Sequence, residues 1–542
     1  MTNSIDPQQN PWFRHRVLYQ IYPRSFRDSN GDGVGDLRGI IEKLDYLAGR
    51  DDSLGVGAIW ISPFYPSPMA DFGYDVTNYC DVDPLFGTLD DFKELLQEAH
   101  ARDLKVMIDF VPNHTSDQHP WFIEARSSRD NPKRNWYIWK DAKPDGSEPN
   151  NWQSTFGGPA WTLDQTTGQY YLHSFLSKQP DLNWDNPEVR EAMKQQMKFW
   201  LDMGVDGFRV DAVSPLSKDP DFTDNPPKED FKPGVDDPHK AWDRINSQNG
   251  PHLFDYLREM ADFVGSYTER FMITEAYPHG WDNTASYLQF YRQVNPHACA
   301  PFNFEGIAAP WKAEVFKDFI DKFEFAIEPE YIPIYCLGNH DRSRLATRFG
   351  TENTRAAAML LLTLPGMPTM YYGDELGMTD AEILPDEVRD PYELNVPGKG
   401  NGRDPERTPM QWDNSATAGF TTGQPWLPVN PNHDTVNVTD EAESAASTLN
   451  IYRTLLHLRA DSHALKHGTY VPVDTPAGTL GFKRVTGSQT LLTLINFTEK
   501  TIELTADLQA ILDGNVQLST YLDRKFELSQ LRPHEGRIYN LN

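Results

Sequence analysis

GFRVDAV, residues 207–213, has the apolar texture of a buried strand, yet it carries Arg209 and Asp211. Side chains along a strand alternate between its two faces, so residues two apart share one. Phe208 and Val210 therefore point one way, Arg209 and Asp211 the other. Such a pair can be a structural ion pair. It can also be the end of a strand that delivers charged groups to a reaction.

The flanking sequence favours a strand that follows a helix. Pro187 suits a first helical turn, Val189, Met193, Met197, Trp200 and Leu201 form one apolar stripe, and Gly204 suits the stop. Similar apolar runs recur along the chain: VLYQIYP (17–23), AIWISP (58–63), KVMIDFVP (105–112), FMITEAY (271–277), FNF (302–304), IPIYCLGNHD (332–341) and MPTMYYGDELG (367–377). Helical patterns lie near 37–48 and 88–102. Eight candidate strands alternating with helices predict an α/β chain whose parallel sheet closes as a (β/α)8 TIM barrel. About 65 residues rich in Trp, Asn, Pro and Gly separate DFVPNH from QPDLNW. That exceeds an ordinary connection and predicts an inserted domain after the third strand. Beyond about residue 470 the texture changes to TLGFKRV, TLLTLINF and TIELTA, which predicts a C-terminal antiparallel β-sandwich. The expected division is barrel over 1–112, inserted domain over 113–183, barrel again over 184–470, and β domain over 471–542.

Composition narrows the function. The net charge of −29 opposes binding to nucleic acid and to anionic membranes. No run approaches the roughly 20 apolar residues of a membrane span. The first residues, MTNSIDPQQNPWFRHR, lack the apolar core of a signal peptide. Cys80, Cys299 and Cys336 are few, odd in number and widely spaced, which fits a reducing compartment. A cytoplasmic protein, monomeric or homodimeric, is expected.

In a barrel of this kind the chemistry sits at the C-terminal ends of the strands. Three strands end in acids there: Asp211, Glu275 in TEAY and Asp341 in NHD. His114 and His340 accompany them. Each motif alone is weak, since a glutamate at a strand end is often a solvated cap. Three acids on one rim are hard to explain as packing. Two carboxyl groups can cleave a glycosidic bond, one attacking the anomeric carbon and the other protonating the leaving oxygen. Asp211 is the candidate nucleophile, with Arg209 beside it expected to lower its pKa.

The chain resembles the α-amylase family of glycoside hydrolases, and within it the α-glucosidase, maltase and oligo-1,6-glucosidase group. QIYPRSFRDSNGDGVGDLRGI, DFGYDVTNY, DFVPNH, QPDLNW, GFRVDAV, TEAY, GNHD and GRDPERTPMQW carry the resemblance almost from end to end. It implies Asp211 as nucleophile, Glu275 as acid/base and Asp341 as transition-state stabiliser. It further implies that Asp71, Tyr74, His114, Arg209 and His340 hold the glucosyl ring, and that Phe156 is an aromatic wall. Arg403 matches the arginine that closes the pocket, with Arg407 as the alternative. Asp109 and Asn113 match supporting positions. The substrate implied is a small α-glucoside or oligosaccharide, with no organic cofactor.

DSNGDGVGD (28–36) places oxygen donors at alternate positions: Asp28, Asn30, Asp32, the Val34 carbonyl and Asp36. This is the first part of a calcium loop, but Gly39 replaces the closing glutamate of an EF-hand. One structural Ca2+ or Mg2+ is expected, against the alternative of an Asp/Gly-rich turn that caps a helix. In relatives, valine after the nucleophile goes with α-1,6 cleavage, and alanine or threonine with α-1,4. Ala212 therefore favours maltose and short α-1,4 oligosaccharides, cut from the non-reducing end. The competing readings are an oligo-1,6-glucosidase, a sucrose isomerase or trehalose synthase that transfers the glucosyl unit, and a non-catalytic maltase-like binding subunit.

Overall fold

The computed structural model describes residues 11–277, 284–512, 515–523 and 527–541. Seven parallel strands lie side by side in the order Thr369–Tyr371, Leu18–Ile21, Ala58–Ile61, Lys105–Phe110, Gly207–Val210, Phe271–Thr274 and Cys299–Pro301. The ring closes through residues 333–336. Asn303 bridges Tyr335 and Cys336 bridges Thr369, both in parallel. Their backbone bonds are Asn303 N–H to the Ile334 carbonyl at 2.9 Å and Thr369 N–H to the Tyr335 carbonyl at 2.8 Å. This is the expected barrel. Its strands are buried almost throughout because side chains fill the inside and helices cover the outside.

Register delivers the chemistry. Phe110, Val210 and Thr274 stand level on three adjacent strands. The next residues stay level too, since the Asp211 N–H donates to the Phe110 carbonyl at 2.8 Å and the Glu275 N–H to the Val210 carbonyl at 2.9 Å. One step back, Asp109 lies beside Arg209.

The helix before the fourth strand runs Pro187–Met203 and buries Val189, Met193, Met197, Trp200 and Leu201. The Asn186 side chain accepts from the Glu188 N–H at its start, and Gly204, at φ 110°, ends it in the left-handed region that only glycine enters freely. Local expectation fails in three places. The helix of 37–48 is two helices, Leu37–Glu42 and Leu44–Leu47, broken at Lys43. The strand placed at FNF lies earlier, at Cys299–Pro301, the end strand of the seven-stranded ladder, where a proline is tolerated. The stretch 332–341 pairs through two isolated bridges rather than a full ladder.

Between the third and fourth strands, Trp139–Lys140, Gln169–Leu172 and Trp161–Asp164 form an antiparallel sheet. It has its own apolar cluster of Trp152, Ala160, Trp161, Tyr170 and Leu172. At the C-terminal end five antiparallel strands run Thr469–Val473, Thr479–Val485, Thr490–Asn496, Gly536–Asn540 and Val516–Ser519. The central strand is buried on both faces. Leu491 and Ile495 join the main core, while Leu492 and Leu494 pack with Leu504, Leu508 and Leu531 of the outer layer. Period-2 alternation thus feeds two cores from one apolar run. Among the described residues no helix is long and apolar enough to cross a membrane.

Candidate active site

Arg209 is the hub of the site. Its Nη1 donates to Asp109 Oδ1 at 2.9 Å and to Asp211 Oδ1 at 2.7 Å, and its Nη2 to Glu275 Oε2 at 2.5 Å. The guanidinium is 1% exposed and lies over the Trp60 ring, 4.9 Å from its centroid. Glu275 Oε2 also accepts from the Ala212 N–H at 3.1 Å, and its Oε1 from the Tyr277 hydroxyl. Ala212 takes a positive φ of 40°, which turns its N–H toward that carboxyl. Such backbone is uncommon for a residue with a Cβ and is often found at working sites.

Asp341 is held by Arg407 Nη2 at 2.8 Å and Arg403 Nη1 at 3.3 Å. Arg403 also reaches Asp71 Oδ1 at 2.7 Å and Asp390 Oδ2 at 2.6 Å, and its guanidinium lies over the Phe156 ring at 4.8 Å. Arg407 Nε donates to the His340 carbonyl at 2.7 Å. Both arginines named from the sequence therefore serve Asp341, but only Arg403 bridges to Asp71 and Phe156. The Gln20 amide donates to His340 Nδ1 at 2.7 Å, which leaves the proton on Nε2, 2.7 Å from the Tyr74 hydroxyl. The Tyr74 and His340 rings stack at 5.5 Å. The Gln179 amide reaches Asp71 Oδ2 at 3.2 Å and His114 Nε2 at 3.1 Å. Asn113 adds a contact to His114 Nδ1 at 3.2 Å.

Charge bookkeeping explains the titration. Burial pushes the Asp211 carboxyl well above the ordinary carboxylate range. Arg209 opposes this, as expected, but does not prevail, because one guanidinium serves three carboxylates and Glu275, Asp109 and Asp341 push the same way. Asp109, fully buried, is lifted to about 6 for the same reasons. Burial and the crowding of negative charge thus raise both Asp109 and Asp211. Asp341 behaves oppositely: burial disfavours its charge, but nearby positive charge pulls its pKa far down. His340 is held neutral by burial, so that charge comes from Arg403, Arg407 and Arg209. His114 is lowered by burial to about 4 and is also neutral.

These groups open onto a cavity of about 1150 Å3. Asp71, Tyr74, His114, Phe156, Asp211, Glu275, His340, Asp341 and Arg403 line it, with Ala212 beside the acids. Arg209 lies behind the lining. The sequence reading missed Gln20, Trp60, Gln179, Tyr277 and Asp390. Gln20, Gln179 and Tyr277 lie inside QIYPRSFRDSNGDGVGDLRGI, QPDLNW and TEAY, but nothing local gives them a role in the site.

The loop 28–36 lies apart from this cavity. Asp28 accepts from the N–H groups of Asn30, Gly31 and Gly33 and from the Thr421 hydroxyl. Asn30 accepts from the Asp32 N–H and Asp32 from the Val34 N–H. Asp36 accepts from Ser29 and from the Gly39 N–H, and caps the helix Leu37–Glu42. Among the described residues no three His, Cys, Asp or Glu side chains converge as a metal cluster. The remaining donors, all oxygen, are of the kind hard cations take.

Residues 20–468 match the catalytic domain of α-amylases, and the chain belongs to the α-amylase family of glycoside hydrolases. It is 39% identical to the oligo-1,6-glucosidase of Parageobacillus thermoglucosidasius, over 98% of this chain and 99% of that protein. It is 40% identical to a protein of Rhizobium meliloti (strain 1021) named "Probable alpha-glucosidase", over 97% of each. Among solved structures it is similar to the alpha-glucosyl transfer enzyme XgtA, with a TM-score of 0.90 and 39% identity over 98% of this chain and all of the other.

Proposed function

We propose that this chain is a retaining α-glucosidase that removes glucose from the non-reducing end of maltose and short α-1,4 oligosaccharides. The observation that carries this reading is the attachment of two carboxyl groups, Asp211 and Glu275, to one guanidinium at the level rim of adjacent strands. Such a pair of carboxyl groups meets the needs of double displacement. An Asp211 oxygen bonds to the anomeric carbon as the bond to the leaving oxygen breaks, and Glu275 gives that oxygen its proton. Water then returns a proton to Glu275 and adds its hydroxyl to the anomeric carbon, which frees Asp211. Asp341, kept ionised by Arg403 and Arg407, faces the positive charge that develops on the sugar ring. The Asp71–Arg403 ion pair supports exo action, because it closes the glucosyl end of the cavity against a longer chain.

The α-1,4 preference rests on Ala212, whose small side chain lines the cavity beside the nucleophile. Valine there should crowd a leaving sugar joined through O4 more than one joined through the flexible C6 arm, by about 1–3 kcal/mol, or roughly 10–200-fold. The wild type is expected to prefer maltose to isomaltose in kcat/KM, and Ala212→Val to narrow or reverse the ratio. Valine at φ 40° also strains the backbone, but that cost falls on both substrates and leaves the ratio readable. A wild type that favours isomaltose would make it an oligo-1,6-glucosidase instead.

A second reading is transfer of the glucosyl unit to another sugar, as in sucrose isomerases or trehalose synthases. The likeness to an alpha-glucosyl transfer enzyme favours it, and product analysis with maltose, sucrose and trehalose separates it from hydrolysis. A non-catalytic binding subunit has no use for the full set of acids. We further infer one structural Ca2+ or Mg2+ on Asp28, Asn30, Asp32, Asp36 and the Val34 carbonyl. Chelation should lower Tm and leave linkage preference unchanged; an unchanged Tm would remove the metal. Free Cys80, Cys299 and Cys336, the last two buried, support a cytoplasmic protein, read as a monomer or homodimer.

A further inference from the structure

The cavity has a second charged zone that bond cleavage does not use. Acids of the barrel rim line one part of it. Another part of the wall is the segment 217–250, where Lys228, His239, Lys240 and Arg244 face the cavity, with Asp243 as the one carboxylate of that segment among the described lining residues. Lys240 is neutralised by Asp237 at 2.9 Å, and Lys228 has only Asp230 at 3.5 Å.

Arg244 differs from the other arginines of the site. Its Nη1 donates to Thr155 Oγ1 at 2.8 Å and its Nη2 to the Ser154 carbonyl at 3.1 Å. Both acceptors are neutral. Among the described residues no carboxylate pairs with it, whereas Arg209, Arg403 and Arg407 each hold at least one acid. Burial pushes its pKa down, with only Tyr392 opposing, as expected for a cation that lacks a counter-charge. An anion placed there would gain charge-assisted hydrogen bonds and relieve the cost of a desolvated cation.

Its neighbours locate it on the cavity wall. Arg403, at the glucosyl end, lies over Phe156, and Phe156 packs against Tyr392 with ring centroids 5.4 Å apart. Tyr392 meets His239 at 3.0 Å, and Arg244 is tied to Ser154 and Thr155, immediately before Phe156. Arg244 thus stands one aromatic layer away from the Asp71–Arg403 pair, beyond the Phe156 ring.

We propose that the leaving-group side of this pocket accepts an anionic aglycone, one that carries a phosphate or a carboxylate, and that Arg244 is its specificity-determining contact. The inference rests on the α-glucosidase reading and names the class of α-glucoside that suits it. The reaction is unchanged: the leaving oxygen takes the proton of Glu275, and the anionic group stays on the released alcohol.

The test compares kcat/KM at low ionic strength for maltose, maltose phosphorylated on O6 of its reducing glucose, and maltobionate. The first anion presents a phosphate and the second a carboxylate, so the two arms identify the group. At least one anionic substrate should exceed maltose by about tenfold or more, within the worth of one or two hydrogen bonds to a charged group, and added salt should erode the gain. Arg244→Gln should cut the anionic-to-neutral ratio at least about tenfold, with Arg244→Lys restoring part of it. A wild type that cleaves maltose but neither anion better would overturn this inference alone. A protein that cleaves none of the three, nor 4-nitrophenyl α-glucoside, would overturn the underlying reading and this one with it.

Discussion

Two parts of one cavity wall are built by different rules. At the glucosyl end Arg209, Arg403 and Arg407 are each 8% exposed or less, and every one of them touches two or more groups of the site. The segment 217–250 holds one short 3-10 turn, Pro238–Lys240, with another, Ser214–Leu216, at its approach. Its Lys228–Asp230 contact is long at 3.5 Å and Ile245 is 45% exposed, although Lys218 holds Asp181 at 2.8 Å. The first region is over-determined, which suits its proposed task of holding a glucosyl ring against two acids. The second is held by bonds between loops, such as the Asp219 N–H to the Asn246 carbonyl and the Lys228 N–H to the Ala241 carbonyl, and in the proposed function it faces whatever is attached to that ring.

The comparison can be broken by substitution. Asp211→Asn should abolish turnover by at least about 10⁴-fold, as loss of a covalent nucleophile does elsewhere, while Arg209 keeps Asp109 and Glu275 and the fold survives. Activity within tenfold of wild type would mean that another group attacks. The next contrast is in stability. Arg209→Met leaves Asp109, Asp211 and Glu275 without their shared cation and should cost about 3–5 kcal/mol. Asp237→Asn, which removes the partner of the half-exposed Lys240 on the outer wall, should cost about 1 kcal/mol or less. Urea unfolding of both variants decides this. Equal losses would mean that the two walls are equally determined.

What could be read in the sequence follows the same divide. Strand ends announce themselves, because apolar runs stop at an acid: Asp211, Glu275 and Asp341 stand out for that reason. The helix Pro187–Met203 is legible because its cap, stripe and stop agree. The partners that tune those acids lie far along the chain. Gln20 meets His340 across 320 positions, Gln179 meets Asp71 across 108, and Arg403 meets Asp71 across 332. Both glutamines open quoted motifs, but nothing local shows which acid or histidine each one meets. The titration of Asp211 was misjudged for a related cause: GFRVDAV displays one arginine beside one aspartate and hides the competition from Asp109 and Glu275 for the same charge. The segment 217–250 offered no periodicity, and Arg244 became visible only when its lack of an acid partner could be seen.

The central claim is that Asp211 and Glu275 work as nucleophile and acid/base with retention. Proton NMR of 4-nitrophenyl α-glucoside hydrolysis, recorded before mutarotation, tests it most directly. Every glucose released from that substrate comes from the glycone side, so its anomeric signal reports the stereochemistry of a single bond. The geometry predicts α-glucose as the first product, followed by slow appearance of the β anomer. β-Glucose at the first time point would mean single displacement by water, and would contradict the assignment of Asp211 as nucleophile.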